Sequence, residues 1–131
     1  MKKILFFLAA VGMINASCKK SDYSNDGKGE VYGKWKLAET LFDIGNGQGK
    51  YTKVTGGAKY LILEKSVDKA GIIKGDAIPN LFSFKILDSV QMEVYSDNNK
   101  MPAIFRYRAS AKSLELNPPC IEGCGYRFIR E

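Results

Sequence analysis

From residue 33 onward the chain alternates hydrophobic and polar side chains with a period of two. Gly33 to Asp43 puts Trp35, Leu37 and Leu41 on one face and Lys34, Lys36, Ala38 and Thr40 on the other, which predicts a strand with one buried face. Tyr51 to Val54 returns after the glycine-rich turn 44–50, and Lys59 to Glu64 and Ala70 to Lys74 follow as further strands. Leu81 to Leu87 and Val90 to Tyr95 alternate with only Asp88-Ser89 between them. They predict a tight hairpin that buries Phe82, Phe84, Ile86, Val90, Met92 and Val94. Ala103 to Ala109, Ser113 to Asn117 and Tyr126 to Arg130 complete the series, separated by residues that favour turns. No stretch carries a convincing helical period. Roughly eight short, evenly spaced strands predict an all-β fold, a single antiparallel up-and-down meander. Such a sheet loses its exposed edges by closing into a barrel. At eight strands the interior is either filled by side chains or holds one small ligand.

The first residues break this pattern. Lys2 and Lys3 precede an apolar run, Ile4 to Ile14, and then Asn15-Ala16-Ser17-Cys18. A cationic start, a short greasy core and small residues predict an export signal. The run falls short of the roughly 20 apolar residues that cross a bilayer. With its cysteine directly after Ala16-Ser17, the segment resembles a bacterial lipobox. The resemblance implies lipidation of Cys18, cleavage that makes Cys18 the first mature residue, and a location in the cell envelope, at the outer membrane. Two or three acyl chains on one residue add their transfer energies and hold the protein on the membrane. The following stretch, Lys19 to Gly29, has one aromatic and no aliphatic side chain, so it lacks the apolar surface needed to order itself. The expected organisation is therefore a signal peptide at 1–17, a lipidated N-terminus and flexible tether at 18–32, and one barrel domain at 33–131.

Charge and cysteine content narrow the chemistry. The 131 residues hold 20 Lys and Arg against 14 Asp and Glu. Loss of Lys2 and Lys3 with the signal lowers the net charge from +6 to +4. The basic residues are dispersed, whereas nucleic-acid binding would call for a basic stripe. With Cys18 lipidated, Cys120 and Cys124 remain as a pair in an oxidising compartment, which predicts a disulfide. A zinc site, the rival reading, would want four ligands, and the chain has no histidine and no further cysteine. The segment 44–50 ends in Gly-Lys but lacks the glycine and hydroxyl residue of a phosphate-binding loop at the required spacing. Without histidine the usual neutral-pH base is missing, and no pair of carboxylates is forced together by spacing. A noncatalytic protein without cofactor or metal is expected.

The ordered set of lipobox, tether, Gly33-x-Trp35, meander and terminal Pro118-Pro119-Cys120 to Cys124 resembles the small bacterial lipocalin-like lipoproteins. The resemblance covers nearly the whole body, from Gly33 to Arg130. It implies that Trp35 closes one end of the barrel beneath a late arginine, for which Arg127 is taken as partner, with Arg130 the alternative. It also implies a cup for a small apolar or amphipathic ligand, with Trp35, Phe82, Phe84, Phe105 and Tyr107 as its wall. The other reading gives the same aromatics to a filled core. The protein would then serve as a structural or interaction module, with Lys34, Lys36, Arg106 and Arg108 as contacts for an acidic partner.

Overall fold

A computed structural model describes residues 29–68 and 70–131. The signal and the lipidation of Cys18 fall outside these residues. Every described element is a strand: β1 (Gly33–Phe42), β2 (Tyr51–Lys53), β3 (Tyr60–Glu64), β4 (Gly71–Gly75), β5 (Leu81–Ile86), β6 (Gln91–Ser96), β7 (Asn99–Ala109), β8 (Ser113–Asn117) and β9 (Cys124–Arg130). Each pairs antiparallel with its sequence neighbour from β3 to β9, and β9 returns to β1 along Trp35 to Phe42. That closure occupies one whole edge of β1. Its other edge is shared, with β3 against Gly33 to Lys36 and β2 against Glu39 to Leu41. β2 and β3 thus act as two pieces of one interrupted arm. Hydrogen bonds from Val54 N to the Ala38 carbonyl and from Leu37 N to the Lys59 carbonyl hold both sides of the interruption to β1. The result is the expected meander, closed by eight strands with β2 as an extra one, an architecture compatible with a lipocalin-like barrel.

The interior is built from alternate residues of the strands. Trp35, Leu61, Leu63, Phe84, Met92, Leu114 and Phe128 are all almost wholly inaccessible to solvent. The ladder is thinnest between β4 and β5, where only Gly71↔Phe84 and Ile72↔Ser83 are in register. The Ser83 hydroxyl reinforces that seam by donating to the Gly71 carbonyl at 2.9 Å. Ala77, on the connection that follows β4, is buried, and Ile78 beside it packs against the core.

Two β-bulges change the faces read from the sequence. On β5 the register shifts between Leu81 and Ser83. An extra residue in one strand reverses the inward and outward alternation beyond it. Leu81 therefore joins the core while Phe82 is 48% exposed, and Phe82 is corrected from wall residue to outer surface. On β1 the shift lies between Leu37 and Glu39, so that Glu39, Leu41 and Tyr51 share a face with Arg127 and Gly125 on the outside. Val90 also departs from expectation at 54% exposed. The Asp88 carboxylate accepts from the amides of Val90 at 2.8 Å and Gln91 at 2.7 Å, which draws Val90 into the turn and out of β6.

The folded body also starts earlier than expected. Residues 29–32, placed in the tether by the expected domain boundary at 33, pack on the barrel. Gly29 N donates to the Ala109 carbonyl at 2.9 Å, and Val31 is a buried member of the core.

Candidate functional site

β1 and β9 run the length of the barrel, and the two ends differ. At the end where β1 begins, Trp35 is completely buried. Its indole Nε1–H donates to the Val31 carbonyl at 2.7 Å, which draws residues 29–32 across the opening. The Arg130 guanidinium lies 4.0 Å from the Trp35 ring centroid. It donates to three carbonyls: Ala111 at 2.7 Å, Tyr32 at 2.9 Å and Glu30 at 2.7 Å. Gly33 makes this possible. Its φ is +138°, and a Cβ there would stand 2.6 Å from the Arg130 Nη1. The Gly-x-Trp spacing therefore has a local physical cause, a backbone turn that admits the arginine over the indole two residues on.

Arg127, the partner chosen from the sequence, is on the outer wall instead. Residues on β9 alternate between faces, so Phe128 points in and Arg127 out. The Arg127 guanidinium lies 3.5 Å from the Tyr51 ring centroid. It is bridged to Glu39 at 3.2 Å and to Glu115 at 3.4 Å, and Glu115 also takes Arg108 at 3.0 Å. Burial alone would lower the Arg127 pKa. The hydrogen bond to Glu39, followed by the charge of Glu115 and Tyr51, raises it above the ordinary arginine value. Tyr51 reaches across Gly125 to Asn117, its hydroxyl 3.3 Å from Oδ1. A Cβ at Gly125 would collide with that hydroxyl. This network fastens the short β2 to the outside of the barrel.

The remaining aromatic positions divide. Phe84 and Phe105 join Trp35 in the core. Tyr107 is half-buried at the rim of the sealed end, where its hydroxyl donates to the Asp88 carbonyl at 2.8 Å. Its pKa is raised, by burial first and then by the negative charge of Asp88 and by Tyr32. Phe82 is outside. The five expected wall residues thus do not line one cup, since three of them are packed together as filling. Among the described residues no group of three or more potential metal ligands comes together.

At the opposite end, two loops meet. Asp43 folds the first, its Oδ1 accepting from Gly45 N at 3.0 Å and Asn46 N at 3.2 Å and its Oδ2 from Gly49 N at 3.1 Å. The second loop is closed by a disulfide between Cys120 and Cys124, whose Cα atoms are 5.9 Å apart. Asp43 N donates to the Gly123 carbonyl at 3.1 Å and joins the two loops. Phe42 and Ile44 on the first remain 80% and 78% exposed, and Ile121, inside the disulfide loop, is fully exposed. Phe42 and Ile121 flank a cleft of about 280 Å³ at the disulfide. Sequence alternation alone passed over these three exposed residues, because all of them lie at or beyond strand ends. The signal that could have found it is the occurrence of large apolar residues in segments otherwise made of Gly, Pro, Asn and Asp.

No family model, no curated protein and no solved structure matches this chain.

Proposed function

We propose that this protein is an exported, lipid-anchored, noncatalytic interaction module of the cell envelope, with the barrel as a rigid stand and the far rim as its recognition surface. A single observation carries the reading. Phe42 and Ile121 flank one cleft beside a disulfide-closed loop, and Ile44 stands exposed on the loop linked to it, over a barrel filled with Trp35, Phe84 and Phe128. Large apolar side chains held in fixed positions make strong binding anchors, since little conformational freedom is lost when a partner covers them. The partner expected is an envelope protein that offers an apolar recess. A lipid on Cys18 would tether the sealed end, since residue 29 enters there, and leave the rim facing away from the bilayer.

A photo-crosslinking residue placed at Ile121 in cells tests this. The expected result is a discrete protein adduct from position 121, none from position 67 at the sealed end, and loss of the adduct in Phe42→Ser. Equal labelling from both ends would overturn it. A second reading, a small apolar or amphipathic ligand in a shallow cup, draws support from Val54, Ile78, Leu81, Ala103 and Tyr126, which pack against the core while only partly buried. Native mass spectrometry of the protein extracted from its own membrane separates the two, because only the second reading expects a retained small-molecule mass.

A further inference from the structure

The outer wall of β5 and β6 is apolar where a solvated barrel wall would be polar. Phe84, Met92 and Val94 point into the core, so Lys85, Glu93 and Tyr95 beside them point out. Across this outer face the ladder sets Lys85 opposite Glu93 and Ser83 opposite Tyr95, with Ile72 of β4 opposite Ser83 and Ile104 of β7 opposite Glu93. The bulge adds Phe82, whose ring centroid is 6.5 Å from that of Tyr95. Ile72, Phe82 and Ile104 are all exposed. Four neighbouring strands thus present these apolar side chains and a tyrosine ring around one lysine and one glutamate. Neither Lys85 nor Glu93 forms an ion pair among the described residues. The Glu93 carboxylate accepts from the Tyr95 hydroxyl at 3.0 Å.

We infer that this wall is the contact face of a two-fold symmetric dimer of the chain, with β5 of one copy over β6 of the other. A two-fold axis along the strands, between β5 and β6, exchanges the two strands. It sets Lys85 of each copy against Glu93 of the other and Phe82 against Tyr95, with Ile72 and Ile104 on the flanks. The charges decide for a second copy. A partner of one charge sign would leave either Lys85 or Glu93 facing its own sign, whereas an identical wall answers both. The area sets the strength. Both strands have six residues, about 20 Å, and four strands about 4.8 Å apart make the wall about 400 Å² in plan on each copy. The total of about 800 Å² lies below the roughly 1,200 Å² at which stable complexes begin, so the dimer is reversible.

The test is made in cells on the full chain, with a photo-crosslinking phenylalanine derivative at position 82 and a control at position 36 of β1, on the opposite side of the barrel. The expected result is an adduct of twice the chain mass from position 82 and none from position 36. Lys85→Glu and Glu93→Lys should each lower its yield roughly tenfold, since every dimer contains the contact twice and attraction becomes repulsion at both. Co-expression of the two variants should restore the yield. The Lys85→Glu copy then offers two carboxylates to the two ammonium groups of the Glu93→Lys copy. An unaltered melting temperature of each purified variant excludes misfolding as the cause of a loss. No self-adduct, or an adduct with a different protein in its place, would overturn the second copy as occupant. A self-adduct that the charge reversals leave unchanged, that co-expression fails to restore, or that forms equally from position 36 would overturn the two-fold contact. The crosslink expected from Ile121 at the rim is untouched by each of these outcomes.

Discussion

The two ends of the barrel handle apolar surface in opposite ways. At the sealed end, Trp35 is buried under Val31 and Arg130, and the polar atoms that accompany it are satisfied by backbone carbonyls. At the far rim, Phe42, Ile44 and Ile121 stand in solvent although covalent and hydrogen-bonded constraints hold the loops that carry them. Apolar side chains such as Val67 are exposed at the sealed end too, but there a tryptophan is covered, whereas the rim holds its uncovered residues on braced loops. The first end behaves as a core, whereas the second has the character of a surface kept available.

The comparison breaks most visibly with matched truncations. Trp35→Ala should lower the unfolding free energy by about 3–5 kcal/mol, as for other buried aromatics, and Phe42→Ala by less than about 0.5 kcal/mol, as for an exposed site. Urea denaturation of both variants checks this. Similar losses at the two ends would show that the rim is part of the core.

Arg130 comes next. Arg130→Ala removes the stacking on Trp35 and the hydrogen bonds to three carbonyls. A loss of about 2–3 kcal/mol is expected, below the sum of the separate interactions because the side chain is partly solvated. Hydrogen exchange at the Gly29 amide should accelerate, since residues 29–32 lose their clamp. Arg130→Lys should rescue little, because an ammonium group cannot reproduce the planar fork.

How far the sequence foretold these two ends follows from the kind of signal each one leaves. Strand existence was legible along most of the body, least so between Glu64 and Asn80 where β4 lies, because burial of one face imposes a period of two on Trp35-Leu37, Phe84-Ile86 and Met92-Val94. Barrel closure followed from the number and spacing of the strands. The bulges at 37/39 and 81/83 were not legible, since an inserted residue leaves the composition unchanged and alters only the pairing, and so Leu41 and Phe82 were placed on the wrong face. The choice between Arg127 and Arg130 turned on the same parity, which Phe128 fixes once it is known to point inward. Val31 was hidden by its polar neighbours, because one apolar residue carries no period. The disulfide was legible from the cysteine count, while the apolar rim it braces was not.

The disulfide supplies a smaller test of the rim. Replacing Cys120 and Cys124 by Ser should cost about 2 kcal/mol, the loop-entropy value for so short a closure. The effect on the rim should exceed the effect on the body. The Asp43 amide, which donates to the Gly123 carbonyl, should lose hydrogen-exchange protection, while the amides of β8 should keep theirs. Uniform loss across the barrel would mean that the rim is not a separate appendage.

The smallest expected effect concerns Tyr107, at the edge of the sealed end. Its phenol is held above the ordinary value of 10.0 by burial, then by Asp88 and Tyr32, and it donates to the Asp88 carbonyl. The folded protein thus binds this proton more tightly than the unfolded chain does. Stability linked to it is fully present below about pH 10 and declines as pH rises through the raised value. Tyr107→Phe should cost about 1 kcal/mol at neutral pH, for one hydrogen bond. The gap between wild type and variant should then narrow above pH 10, since only the wild type has the Tyr107 proton to lose. A gap that stays constant up to pH 11 would mean that folding does not raise the Tyr107 pKa.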